Sequence, residues 1–149
     1  MTATNRDDRA LVDTNIFVYS ADPSEGDKCE IAHRLSDGLR SRGGLVVSAQ
    51  VLNEFYQRIT RPQKPPRLSH AEALQIVRDL AISAEVLPLT ASITLRALDA
   101  MPRHGFSFWD ALIWAAAKEN GVSVVYTEDF QHGRELEGVR IVNPFAPGD

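Results

Sequence analysis

The chain has 149 residues, 44% hydrophobic and 24% charged, which suits one domain with its own core over 1–149 and excludes a largely disordered protein. Sixteen basic and twenty acidic residues leave a net charge of −4, which argues against a purely electrostatic nucleic-acid binder. The N-terminus has no apolar signal segment, the longest apolar run is broken by Ser107 and Asp110, and Cys29 is the only cysteine, so the expectation is a cytoplasmic protein with no membrane span.

Two details temper the charge argument. The bases are thirteen Arg and three Lys. Arg is the better bidentate phosphate ligand, although codon usage explains such a bias equally well. A cluster of acids that holds a metal would also lower the net charge without weakening affinity for phosphate.

In chain order, "MTATNRDD" reads as a frayed end over 1–8, matched by 147–149 at the other terminus. Ala10 to Val12 is a short buried strand that meets Asp13. "GDKCEIAHRLSDGLRSRGG" has Cys29, Ile31, Ala32, Leu35 and Leu39 at helical spacing, then a Gly43-Gly44 stop. "LVVSAQ" is a second strand, and "VLNEFYQRIT" a helix with Val51, Leu52, Phe55, Tyr56 and Ile59 apolar. "RPQKPPRLS" is a loop. "SHAEALQIVRDLAIS" is a helix with Ser69 as N-cap and Glu72 at capping-box spacing. "EVLPLT" is a third strand and "ASITLRALDAMPRHG" a helix. "FSFWDALIWAAAKENG" is a further helix with Ser107 as N-cap. "VSVVYTED" and "VRIVNPF" are the fourth and fifth strands. Helices alternate with continuous β-rich runs, the pattern of an α/β fold with a parallel sheet covered on both faces.

In such sheets ligands bind outside the carboxyl ends of the strands. Asp13 follows the first strand there and Asp129 the fourth. Glu54 and Asp110 lie early in helices that begin at that edge. Each has an ordinary alternative role. Asp13 suits a turn or cap in "DTN", and Asp129 suits a turn in "TEDF". Glu54 falls roughly 130° from the centre of its helix's apolar stripe, where a solvated residue is common. Asp110 also suits a first-turn position on the helix dipole. Its neighbours Phe108, Trp109, Leu112 and Ile113 nevertheless make it costly as an unpaired carboxylate. Glu128, His104 and His132 read as surface residues beside turns. Four carboxylates at one edge repel one another unless cations sit among them, and all-oxygen ligation suits Mg²⁺ or Mn²⁺ better than zinc. Such sites act on phosphate esters.

"LVDTN", the acid in "LNEFYQR", "FSFWDALIWAAA", "YTEDF" and the closing "GVRIVNPF" resemble the successive motifs of PIN-domain ribonucleases. They are most similar to the VapC-type toxins of bacterial toxin–antitoxin pairs, and the likeness runs from Leu11 to Phe145. The resemblance implies a three-layer α/β/α fold with a central parallel sheet of about five strands. It also implies an Mg²⁺- or Mn²⁺-dependent endonuclease that cuts RNA, a cognate antitoxin partner and a homodimer. By position it assigns the catalytic and metal-binding acids to Asp13, Glu54, Asp110 and Asp129, with Asn15 and Thr127 in support. In "TEDF" the spacing favours Asp129 as the fourth acid, with the adjacent Glu128 as the alternative. Arg58 and Arg61, one and two turns beyond Glu54, are candidate phosphate contacts, or else solvated.

A haloacid-dehalogenase-like phosphatase wants a second Asp where Asn15 stands, and a phosphorelay receiver wants a late Lys that does not follow Lys118. A catalytically silent interaction protein on the same fold would not need all four acids.

Overall fold

A computed structural model of the chain describes residues 8–147. The frayed ends expected over 1–8 and 147–149 therefore lie outside the described residues, apart from 8 and 147. Among the described residues no helix is long and apolar enough to cross a membrane.

The strands are β1 (Ala10–Val12), β2 (Leu45–Ser48), β3 (Glu85–Leu87), β4 (Val124–Tyr126), β5 (Glu135–Leu136) and β6 (Val139–Val142). The helices are α1 (Thr14–Ser20), α2 (Asp27–Ser41), α3 (Ala49–Thr60), α4 (His70–Ser83), α5 (Ala91–His104) and α6 (Phe108–Glu119). The sheet order is β3-β2-β1-β4-β6-β5. The five expected strands pair in parallel, and β5 adds an antiparallel edge on β6.

This order reverses direction at β1. The chain runs outward through β2 and β3 on one side, then through β4 and β6 on the other. The crevice between the carboxyl ends of β1 and β4 is thus the topological switch point, where open α/β sheets bind ligands. The register Val12↔Tyr126 and the bond from the Asp13 N–H to the Tyr126 carbonyl (2.9 Å) hold the two strand ends side by side.

The core forms because the central strands are apolar on both faces. Leu11, Val12, Val46, Val47, Val125 and Ile141 are essentially buried, as expected for strands covered on both sides. The helices pack in two groups, α1 with α2 and α3, then α3 with α4, and separately α5 with α6. Trp114 anchors α6. It is fully buried, and its indole N–H donates to the Leu136 carbonyl at 3.0 Å. At the α2–β2 junction, Gly43 takes φ +70° and Gly44 lies so near the Asp8 carbonyl that a Cβ would meet its oxygen at 1.9 Å. The Gly43-Gly44 pair is required there by both conformation and space. Ser69 caps α4 with the full capping box to Glu72, and Ser107 caps α6 by accepting from the Asp110 N–H.

Helix α1 and strand β5 went unread in the sequence. Helix α1 follows Asp13 directly, although Thr14, Ile16 and Val18 are β-branched and seven residues are too few for a stable isolated helix. Packing against α2 and α3 forms it, and Ile16 and Phe17 are buried as a result. The β5–β6 hairpin turns at Glu137 and Gly138, with φ +52° and +87°, the signs that a type I′ turn requires. A residue-Gly pair flanked by Leu136 and Val139 is the local signal that marks it.

Candidate functional site

At the switch point Asp13 performs two tasks at once. One carboxylate oxygen caps α1 by accepting from the Thr14 N–H at 2.7 Å, and the other accepts from the fully buried Thr127 hydroxyl at 2.8 Å. The cap therefore occupies one oxygen of Asp13 and leaves the other to meet Thr127. Thr127 also accepts from the Asp129 N–H at 3.1 Å, so one hydroxyl ties the loop after β4 to the end of β1.

Asp13, Asp110 and Asp129 each place a carboxylate oxygen within 4.8 Å of the other two. Asp13 is buried, Asp110 half-buried and Asp129 exposed, so the cluster opens to solvent on one side. Glu54 stands next to this trio without joining it. Its carboxylate accepts from the Gln50 amide at 2.7 Å and from the Thr14 hydroxyl at 3.4 Å. The four acids named in the sequence thus divide into three that converge and one held at the rim. Asn15 is buried, and its Oδ1 is without a partner among the described residues.

The electrostatics follow from this packing. Burial pushes the Asp13 carboxyl up to about 6, despite the opposing bonds from Thr127 and Thr14, and the charges of Asp129 and Glu54 push the same way. Asp110 is raised by burial as well, eased by Ser107 and reinforced by Asp129 and Glu54. Crowded carboxylates in this state favour a proton or a cation. An all-oxygen set suits a hard divalent ion. Asp13, Asp110 and Asp129 could hold one.

Glu128 points away from the cluster. It accepts from Tyr19 at 2.5 Å and from Lys28 at 2.6 Å, and the Lys28 ammonium lies 4.8 Å from the Tyr19 ring centroid. Partial burial works to raise its carboxyl, but the bonds from Lys28 and Tyr19 outweigh this and hold it below the usual range. Glu128→Gln is expected to cost about 1 kcal/mol or less, because the pair is partly solvated. That corresponds to a melting temperature lower by roughly 2–4 °C, with stabilisation by Mg²⁺ equal to wild type. Loss of the Mg²⁺ effect would instead make Glu128 a ligand.

Arg58 lines a cavity of about 390 Å³ with Glu54, Gln57 and Trp109. Arg61 caps the C-terminus of α3, about 10 Å beyond Glu54 along the helix axis. Its Nε is buried without a partner among the described residues. From its place in the sequence, Trp109 belongs to the apolar surroundings of Asp110. It is instead 61% exposed, and the apolar cover of α6 comes from Leu112, Ile113 and Trp114.

The sequence model of the PIN domain family matches residues 10–134. No relative is found among curated proteins. Among solved structures, the chain is similar to the sarcin-ricin loop cleaving toxin VapC20 of Mycobacterium tuberculosis, at 20% identity and a TM-score of 0.63, over 80% of this chain and 89% of that one. A toxin–antitoxin complex from Klebsiella pneumoniae matches at 17% identity and a TM-score of 0.64, over 91% and 98% of the two chains. A DNA-bound VapBC from Salmonella typhimurium matches at 19% identity and a TM-score of 0.63, over 89% and 96%.

Proposed function

The chain belongs to the PIN domain family, and from that premise we propose that it is a metal-dependent endoribonuclease acting as the toxin of a toxin–antitoxin pair. The observation that carries this reading is the convergence of Asp13, Asp110 and Asp129 at the switch point. Asp13, Asp110 and Asp129 would hold a divalent cation, Mg²⁺ or Mn²⁺, whose charge would acidify an attacking water and steady the leaving oxygen.

The chain's own groups do the positioning. Thr127 and the Thr14 N–H fix both oxygens of Asp13. Ser107 orders the first turn of α6, and with it Asp110. The Thr127 hydroxyl sets the backbone of Asp129. Glu54, held by Gln50 and Thr14, would orient a water and accept its proton. Arg58 lies one turn from Glu54 on the same helix face, in position to pair with a substrate phosphate.

The test is cleavage of end-labelled RNA with Mg²⁺, with Mn²⁺ and in excess EDTA. The expected products carry a 5′-phosphate and a 3′-hydroxyl, and EDTA abolishes their formation. A 2′,3′-cyclic phosphate, or full activity in EDTA, overturns the proposal.

The same reading includes a cognate antitoxin and a homodimer. The acidic crevice is a natural target for an antitoxin Arg or Lys that displaces the cation. Exposed Leu95 and Leu98 on α5 and Ile82 on α4 are apolar surface available for association.

A further inference from the structure

We propose that Trp109, with the cavity it shares with Glu54, Gln57 and Arg58, is the binding site for an unpaired RNA base beside the scissile phosphate. This inference rests on the nuclease reading and names the substrate form that the site selects.

Trp109 is the second residue of α6 and directly precedes Asp110. An indole 61% exposed at this point contributes nothing to the core. It is nevertheless oriented. The Phe108 ring lies 5.1 Å away at 62°, and Phe108 itself packs on the core. Trp109 thus has the Phe108 ring on one side and a face open to solvent. The cavity in front of it, about 390 Å³, falls in the size range that holds a small ring ligand. Its other walls are the second and third turns of α3.

Three features of this lining match a nucleotide. The indole face stacks on a base. The Gln57 amide offers a donor and an acceptor to a base edge. Arg58 supplies a cation for the phosphate that continues toward the carboxylates. Single-stranded RNA is recognised by this combination of aromatic stacking and Arg contacts. A docked protein helix requires several apolar anchors at helical spacing, whereas this cavity offers one aromatic among three polar or charged side chains. Bases in a duplex remain stacked on one another and do not present a free face.

The test is a fluorescence titration in EDTA, where binding occurs without cleavage. The probe is a single-stranded oligoribonucleotide of about eight nucleotides, within the site sizes such proteins cover. The protein has two tryptophans, and Trp114 is fully buried, so quenching reports on Trp109. The expected results are quenching by the single strand and none by the same sequence as a duplex. In Trp109→Ala, affinity read by anisotropy falls about 5- to 150-fold, the effect of losing one stacked base. Trp109→Phe recovers most of that loss, and both variants melt within a few degrees of wild type.

Equal quenching by duplex, or unchanged affinity in Trp109→Ala while wild type cleaves RNA in Mg²⁺, overturns the base site and leaves the nuclease standing. If Trp109→Ala lost only the capture of an antitoxin protein, this face would be a protein-docking surface and the base site would be wrong. If wild type neither binds nor cleaves RNA, the nuclease reading and this inference fail together.

Discussion

Asp13→Asn is expected to reduce RNA cleavage at least about a thousandfold, the loss of several kcal/mol of transition-state stabilisation that a correctly held cation provides. Asp13 is the buried member of the trio and the only one with both oxygens already engaged by the protein. The substitution keeps the shape and the helix cap, since Asn also accepts from the Thr14 N–H. It removes the negative charge that a cation needs. Thr127→Val gives the graded comparison. It deletes the hydroxyl that orients Asp13 and the Asp129 backbone, and losing an outer support of this kind costs about 10- to 100-fold. The measurement is the cleavage rate at saturating Mg²⁺, with melting curves to show that each variant is folded. If Asp13→Asn cleaves within tenfold of wild type, the carboxylate trio is not the reactive centre.

The second large effect is a stability change with pH in the metal-free protein. Asp13 titrates near 6 in the fold against an ordinary value of 3.8. Below about pH 4 it is protonated in both folded and unfolded chains, and its contribution to stability is fully present. Between about 4 and 6 the folded chain binds more protons than the unfolded chain, so stability falls as pH rises. Above about 6 the contribution is gone. The loss is about 3 kcal/mol from Asp13, equivalent to roughly 6–12 °C, and the raised Asp110 acts in the same direction. Other carboxylates, Glu128 and Glu137 among them, are held below their usual range and oppose this trend. The informative quantity is therefore the difference between wild type and Asp13→Asn. The variant is expected to melt higher than wild type in EDTA at pH 7 and to lose that advantage at pH 4. Asp110→Asn should gain on the order of 1 kcal/mol in EDTA. Mg²⁺ at a hundredfold excess over its dissociation constant should stabilise wild type by about 2.7 kcal/mol, and both variants far less. Asp79→Asn, exposed on α4, is the control. Parallel pH curves for wild type and Asp13→Asn, with equal Mg²⁺ effects, would make Asp13 purely structural.

The elements that could be read from the sequence are those whose signals are local. Ser69 with Glu72 and Ser107 with Asp110 announce helix starts because a cap is made within three residues. The continuous apolar strands announce a covered parallel sheet because both faces of each strand must be buried. Helix α1 was not legible, because its residues prefer extended backbone and only contacts with α2 and α3 make it helical. The β5–β6 hairpin was missed because two-residue strands carry no periodicity, leaving only the Glu137-Gly138 turn to mark it.

The site divides along the same line. That Asp13 and Asp129 each follow a strand can be read from where two apolar runs stop, and the position of Asp110 in a first turn follows from its cap. None of this says which carboxylates meet. Asp13 meets the Thr127 hydroxyl across 114 positions of sequence, and Glu128 meets Lys28 across 100. Side-chain periodicity tells which face of an element is apolar. It does not tell which polar group a distant element will bring alongside. That choice belongs to the sheet order, which sets β1 beside β4, draws Asp110 and Asp129 to Asp13, leaves Glu54 at the rim, turns Glu128 toward Lys28 and leaves Trp109 facing solvent.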